Sequence, residues 1–177
     1  IPIPATRKLT PYALAAKEKG VNVIHLNIGD PDLNTPQELL EVLHKWQQGP
    51  IGYANSNGDP ALINALVTYY NGLGYKFVTK QDIIVTIGGS EAIDMFFYSV
   101  CSEGDEVLVF EPFYSNYNTL AYLNGVKLVG IPTELTNGFH LPSINEIEKH
   151  ITNKTKAILF SSPGNPSGAV YTKEEIK

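Results

Sequence analysis

From residue 83 onward the chain alternates short apolar runs with segments of helical spacing, and no other feature restricts its folding so far. The runs Ile83 to Ile87, Glu106 to Phe110, Lys127 to Ile131 and Lys156 to Ser161 are separated by Ser90 to Val100, Tyr114 to Asn124 and a segment opened by Ser143. A strand without polar alternation needs apolar cover on both faces, which a parallel sheet flanked by helices provides. The pattern predicts an α/β fold with three layers, α/β/α, around a mainly parallel sheet.

The residues before this alternation read differently. Pro2, Pro4 and Pro11 oppose regular structure at the start, so residues 1–20 read as an arm, with a short helix over Tyr12 to Lys19 ended by Gly20. A strand is expected over Val21 to Ile28. Thr35, Pro36 and Glu38 have the order of an N-cap, a first helical residue and a capping-box acid, which predicts a helix to about Gln47. A further helix opens at Asp59-Pro60 and carries Leu62, Ile63, Leu66, Val67 and Tyr70 at helical spacing until Gly72. Capping boxes are also legible at Ser143 with Glu146 and at Thr172 with Glu175. The last of these opens a helix that is barely started, and the first residue is not Met, so the chain reads as a fragment of a longer protein.

A length of 177 residues fits one domain with at most a small appendage. Hydrophobic residues at 43% against charged residues at 18% are enough to build a core, which excludes wholesale disorder. Thirteen Lys and Arg against 18 Asp and Glu give a net charge of -5, and no stretch is rich in basic residues. Nucleic acid and anionic membranes are therefore poor partners, and a small molecule is expected. Cys101 alone cannot form an internal disulfide, and no apolar run approaches the ~20 residues that span a bilayer. A soluble, reducing compartment is expected, namely the cytoplasm.

Ligands of such sheets sit outside the carboxyl ends of the strands, so chemistry is sought in the segments that leave them. Thr86-Ile-Gly-Gly-Ser-Glu-Ala-Ile93 runs through two glycines directly into a helix. Amides of a first helical turn, the helix dipole and the Ser90 hydroxyl together favour an anion, and glycine lets an oxyanion approach the main chain. A ligand-free strand-to-helix turn carries the same signature. The segment is neither the Gly-x-Gly-x-x-Gly fingerprint nor a phosphate loop ending in Gly-Lys-Ser/Thr. The next exit, Phe110-Glu-Pro-Phe-Tyr-Ser-Asn-Tyr117, puts Phe113, Tyr114 and Tyr117 where a ring could stack on a planar ligand or fill the seam between helix and sheet. In the third, Phe160-Ser-Ser-Pro-Gly-Asn-Pro-Ser-Gly168, Asn165 precedes a proline, which holds it out of the helical region and leaves its amide for a ligand or for a plain turn.

Leu26-Asn-Ile-Gly-Asp-Pro-Asp32 reads either as a turn or as part of a site, and Tyr53 lies in the glycine-bounded loop Gly52 to Gly58. His25, His44, His140 and His150 lack metal-ligand spacing, no Ser/His/Asp order is visible, and no metal site is expected.

Taken in order, Asn27-Ile-Gly-Asp-Pro-Asp32, Tyr53 with Gly58 and Leu62, Thr86-Ile-Gly-Gly-Ser-Glu-Ala92, Glu111-Pro-Phe-Tyr114 and Ser162-Pro-Gly-Asn-Pro-Ser-Gly168 resemble the class I/II aminotransferases. These are fold-type-I enzymes that use pyridoxal 5'-phosphate, and the likeness is to their aspartate-aminotransferase-like branch. It covers essentially the whole chain and implies a truncated large domain: residues 1–44 would be an N-terminal arm and part of the small domain, and residues 45–177 an incomplete cofactor-binding domain. It also implies roles. Gly88, Gly89 and Ser90 match the phosphate-binding turn, Tyr114 the aromatic stacked on the pyridine ring, and Asn165 the asparagine bonded to the cofactor's phenolic oxygen. Gly29 matches the glycine beside the substrate carboxylate. Tyr53 matches the tyrosine that reaches the cofactor phosphate of the neighbouring subunit, which implies a homodimer with shared active sites.

The resemblance implies amino-group transfer from an amino acid to a 2-oxo acid. It also implies parts that this chain lacks: the lysine that holds the cofactor and moves the substrate proton, the aspartate at the pyridine nitrogen, and the arginines that bind carboxylate and phosphate all come later in the family. None of the lysines here stands in the family's Ser-x-x-Lys setting, and Arg7, the only arginine, lies in the arm. The 177-residue chain alone is therefore expected to be inactive. Gly164 and Ser167 depart from the family pattern and blur the subgroup. A carbon-sulfur β-lyase or an aminocyclopropane-carboxylate synthase on the same scaffold is the neighbouring alternative. A non-catalytic dimerisation or regulatory module, and then a generic nucleotide-binding domain, follow.

Overall fold

The computed structural model describes residues 5–27, 29–46, 49–50 and 52–177. Two compact units divide the chain, one of Ile1–Asn27 with Gly88–Lys177 and one of Ile28–Ile87. In chain order the elements are α1 (Thr10–Glu18), α2 (Gln37–His44), α3 (Pro60–Gly72), α4 (Gly89–Val100), β1 (Glu106–Glu111), α5 (Asn116–Leu123), β2 (Lys127–Pro132), α6 (Ile144–Glu148), β3 (Thr155–Leu159) and α7 (Lys173–Ile176).

The larger unit is built on an all-parallel sheet of order β2-β1-β3. Strand β1 is central, and its first five residues are buried. Side chains alternate across a strand, and here each face has its own helices. Val107, Leu128, Ala157 and Leu159 meet Phe97 of α4 and Leu120 and Ala121 of α5. Leu108, Phe110, Val129 and Ile131 meet Leu141 and Ile147 on the other face. That is the expected three-layer α/β/α arrangement. The register repeats it, because Val107 pairs with both Leu128 and Ala157 while Leu108 pairs with Val129 and Ile158.

Helix α4 turns Ile93 and Phe97 to the sheet at a spacing of four, and Cys101, the residue that ends it, packs against the same cluster. Burial, followed by the Asp105 charge, pushes the Cys101 thiol up, and Lys156 opposes this in part. The thiol is therefore a packing group rather than a nucleophile. At the amino end of the sheet, the buried Glu106 carboxylate accepts from Lys127 Nζ at 3.0 Å and from the Thr152 hydroxyl at 2.7 Å.

In the smaller unit, α3 follows the expected range. Asp59 caps it, accepting from the amides of Ala61 and Leu62 at 2.8 and 3.1 Å, and Pro60 occupies the first helical position. Gly58 is buried with φ of 110°, and a Cβ there would lie 2.5 Å from Val85 Cβ. Glycine is therefore required at that position.

Four expectations need correction. Ile83 to Ile87 forms no strand, and among the described residues its unit contains none. A β-rich run becomes a strand only through ladder hydrogen bonds, and Val85 N–H instead donates to Asn57 O at 3.0 Å. Val21 to Asn27 also lacks regular structure, and Ile24 and Leu26 are exposed; Ile28, the end of the expected strand, lies outside the described residues. Helix α2 starts one turn position later than expected, at Gln37, because Pro36 has ψ of 134° and takes the cap position itself, without a side-chain cap bond. The Thr35–Glu38 box therefore does not close, and the helix ends at His44, short of the expected Gln47, which itself lies outside the described residues. Near the start, Pro2 and Pro4 lie outside the described residues, and Pro11 did not prevent structure: Ala5–Leu9 is a 3-10 helix that runs into α1, with Pro11 in the first turn where a missing N–H is tolerated. Gly20 follows it with φ of 77°.

The capping box at Thr172 closes fully, and Glu175 does more than cap. Its carboxylate accepts from Thr172 N–H at 2.7 Å, from Leu141 N–H at 3.0 Å and from His140 Nδ1 at 2.9 Å, tying α7 to the loop before α6. The Thr172 amide, then Leu141, the Thr172 hydroxyl and His140, outweigh burial and hold its carboxyl at about 2 rather than the ordinary 4.5. A depressed carboxyl contributes stability above its unfolded value and loses it as pH falls towards the folded one. The contribution should therefore be full above about 4.5 and disappear towards about 2. Acid-unfolding curves of Glu175→Gln should be flatter than wild type across that window and parallel to it above.

Candidate functional site

The site is assembled from three chain segments. In the first, α4 opens at Gly89 with Gly88 as N-cap in an extended conformation, φ 175° and ψ 177°. Gly88 has no side chain to cap the helix, so the first turn keeps its positive end facing outward. Neither glycine is required by the protein's own packing. A Cβ at Gly88 or Gly89 would meet no atom within 4 Å. The open space lies where a side chain would otherwise cover the amides, which suits a phosphate approaching the main chain.

In the second segment, three aromatics leave β1 and enter α5, and they divide the two roles considered for them. Tyr117 is buried and stacks on Phe113, with centroids 6.2 Å apart and planes 6° apart. Those two fill the seam. Tyr114 stands edge-on to Tyr117, with centroids 5.5 Å apart and planes at 89°, and remains 38% exposed. Tyr114 alone of the three presents a supported ring outward. Helix α5 starts at Asn116, two residues later than expected, and this leaves Tyr114 on the loop rather than on the helix.

In the third segment, the loop after β3 is held by its own backbone and hydroxyls. Gly164 N–H donates to Ala169 O at 2.8 Å and Gly168 N–H to Gly164 O at 2.7 Å. Asn165 N–H donates to Ser161 Oγ at 3.2 Å, and Tyr171 N–H to Ser162 Oγ at 3.1 Å. Beneath the loop, Phe110, Phe160 and Tyr171 meet edge to face with centroids 5.6 to 6.3 Å apart. Burial, and then Glu175, push the Tyr171 phenol up, so it stays protonated. Asn165 is exposed, and its side-chain amide makes no hydrogen bond among the described residues.

Two contacts join the segments. A crevice is lined by Tyr114, Tyr117, Phe160, Ser161, Asn165 and Tyr171, bringing the second and third together. Asn116 Nδ2 donates to Ser90 Oγ at 3.3 Å, bringing the first against the second. Gly88, Gly89, Ser90, Tyr114 and Asn165 thus gather at the carboxyl end of the parallel sheet, where ligands of such sheets bind. Gly29 and Tyr53 belong to the smaller unit, where both are exposed.

Residues 21–177 match the family model for aminotransferase class I and II. The chain belongs to this family. It is 35% identical over 174 residues to the aspartate/prephenate aminotransferase of Thermus thermophilus, covering 98% of this chain and 45% of the relative. Among solved structures it superposes on a single mutant of Thermus thermophilus aspartate aminotransferase with a TM-score of 0.91 at 34% identity, covering 99% of this chain and 46% of that one. An alanine aminotransferase from Pyrococcus furiosus gives 0.90 at 35% identity, with coverage of 98% and 46%. The chain therefore spans a little under half the length of these aminotransferases.

Sequence reasoning missed Asn116 and Ser161. Asn116 opens α5 and Ser161 follows β3, and only the fold brings them to Ser90 and to the Asn165 amide. Among the described residues no helix is long and apolar enough to cross a membrane, and no group of His, Cys, Asp or Glu is arranged to hold a metal.

Proposed function

We propose that this chain is the cofactor-gripping part of an enzyme that transfers an amino group from an amino acid to a 2-oxo acid with pyridoxal 5'-phosphate. In this reading residues 1–44 belong to an arm and small domain, and residues 45–177 to the large domain. The observation that carries it is the gathering of the Gly88–Ser90 turn, the Tyr114 ring and the Asn165 amide at one end of the sheet. The residues fit the group: open space over two glycines for a phosphate, an outward ring for a planar heterocycle, and an amide to donate to a ring oxygen. When bound, pyridoxal phosphate supplies an electron sink for negative charge at the substrate Cα.

The chain's own residues bind and orient. The amides of Gly89 and Ser90 and the Ser90 hydroxyl donate to phosphate oxygens. Tyr114, braced by Tyr117, covers one face of the ring and keeps water from it. Asn165, whose N–H is fixed on Ser161, would donate its side-chain amide to the ring oxygen and so help to hold the group. Gly29 would lie by the substrate carboxylate, and Tyr53 would donate to the phosphate of a second subunit in a cytoplasmic, biosynthetic homodimer. Proton transfer needs a lysine that this chain does not place, so the 177-residue chain alone is expected to give no turnover.

The relatives' names differ in substrate, aspartate/prephenate and alanine, so the test is product balance. A protein of the relatives' full length that carries this chain should convert aspartate, alanine or glutamate with an added 2-oxo acid into equimolar keto acid and new amino acid. Release of pyruvate, ammonia and thiol from a cysteine S-conjugate offered in their place, without a new amino acid, would contradict the reading.

A further inference from the structure

We propose that Asn116 is a positioning residue of the phosphate cup, acting through the Ser90 hydroxyl. The inference rests on the reading of Gly88 to Ser90 as the phosphate-binding turn and deepens it. A serine hydroxyl has one hydrogen to donate and two lone pairs to accept with. Ser90 Oγ accepts from Asn116 Nδ2 at 3.3 Å, so one lone pair is engaged on the α5 side. The hydroxyl hydrogen cannot point at that same donor and is left to turn towards the space over Gly88 and Gly89, where a Cβ would meet nothing within 4 Å. Asn116 thereby selects the rotamer of Ser90 that donates to an anion.

The same bond has a second effect. Asn116 is the first residue of α5 and lies two residues after Tyr114. Its amide fastens the segment that presents the ring to the first turn of the helix that presents the amides. The distance between phosphate grip and stacking face is thus set at one side-chain contact, supported below by the packing of Phe97 of α4 against Leu120 and Ala121 of α5. An asparagine suits this position because it donates. An aspartate of the same shape would only accept: it would take the Ser90 hydrogen for itself and add a charge that repels the phosphate.

The probes are pyridoxamine 5'-phosphate and pyridoxamine, which lack the aldehyde that would react with surface lysines, titrated calorimetrically into the chain and its variants. Asn116→Ala should weaken the phosphorylated probe about tenfold, the scale of one hydrogen bond to a charged group, and leave pyridoxamine unchanged. Asn116→Asp should weaken it about a hundredfold or more while the melting temperature stays within about 2 °C, because an acid in the first turn of α5 suits the helix dipole. In a Ser90→Ala background, Asn116→Ala should cost nothing further. Additive losses in the double variant, or equal losses for both probes, would overturn the role through Ser90. If Ser90→Ala weakens the phosphorylated probe and Asn116→Ala does not, this inference fails while the cup stands. If wild type does not distinguish the two probes, the cup itself fails.

Discussion

Replacing Gly88 by aspartate is expected to abolish binding of the phosphorylated cofactor while leaving the fold as stable as before. Gly88 is the N-cap of α4, its backbone is extended, and a Cβ there meets open space, so the larger residue fits without strain. Aspartate is among the best N-caps and exceeds glycine by a few tenths of a kcal/mol. Its carboxylate would accept the first-turn amide hydrogens and occupy the place of the phosphate. A unit charge about 4 Å from the phosphate at an effective dielectric near 20 opposes binding by about 4 kcal/mol, close to a thousandfold. The expected result is an unchanged or slightly raised melting temperature with no detectable heat from pyridoxamine 5'-phosphate. A large fall in melting temperature would mean that Gly88 is there for the fold. Retained binding would mean that the anion site lies elsewhere.

Phe97→Ala should have the opposite signature, a loss of stability that carries the site with it. Phe97 is fully buried between α4, α5 and the sheet, in contact with a cluster that includes Val107, Leu120, Ala121 and Val126. Removing a buried phenylalanine costs about 3 to 5 kcal/mol through lost transfer energy and the cavity left behind. That is a large share of what a small domain has. Urea unfolding should show the midpoint falling with little change in slope. A cost below about 1 kcal/mol would mean that α4 is not held to the sheet at this point, and the position of Gly89 and Ser90 would need another support.

The parts of this molecule legible in its sequence are those whose cause is local. The Asp59 cap, the helix over α3, the Thr172 capping box and the unbroken apolar run of β1 each depend on residues a few positions apart, and each has the expected form. Val21 to Asn27 and Ile83 to Ile87 have the composition of strands but no ladder partner in the described structure, and composition alone cannot supply one. Pro36 shows a competition within one turn: its own backbone takes the cap position, and the Thr35 side chain has no helix to cap.

The candidate site divides in the same way. Gly88, Gly89, Ser90, Tyr114 and Asn165 are legible in the sequence because a glycine pair opening a helix, an aromatic after a strand and Asn-Pro in a loop occur in this order and spacing, although each alone also fits a plain turn or packing. The division of labour between Tyr114 and Tyr117 did not stand out, because burial of one ring and exposure of the other follows from where α5 begins. Asn116 and Ser161 could not be singled out, since their contacts with Ser90 and with the Asn165 amide span 26 and 4 residues and exist only once the loops are folded.

The most direct measurement is an amide-resolved NMR titration of this chain with pyridoxamine 5'-phosphate and, separately, with pyridoxamine. The account predicts that the phosphorylated compound shifts the backbone amides of Gly89 and Ser90 most strongly, together with the Asn165 side-chain amide and the Tyr114 ring. Pyridoxamine should leave the two backbone amides nearly unmoved. Equal responses to both compounds, or shifts centred away from the first turn of α4, would contradict it.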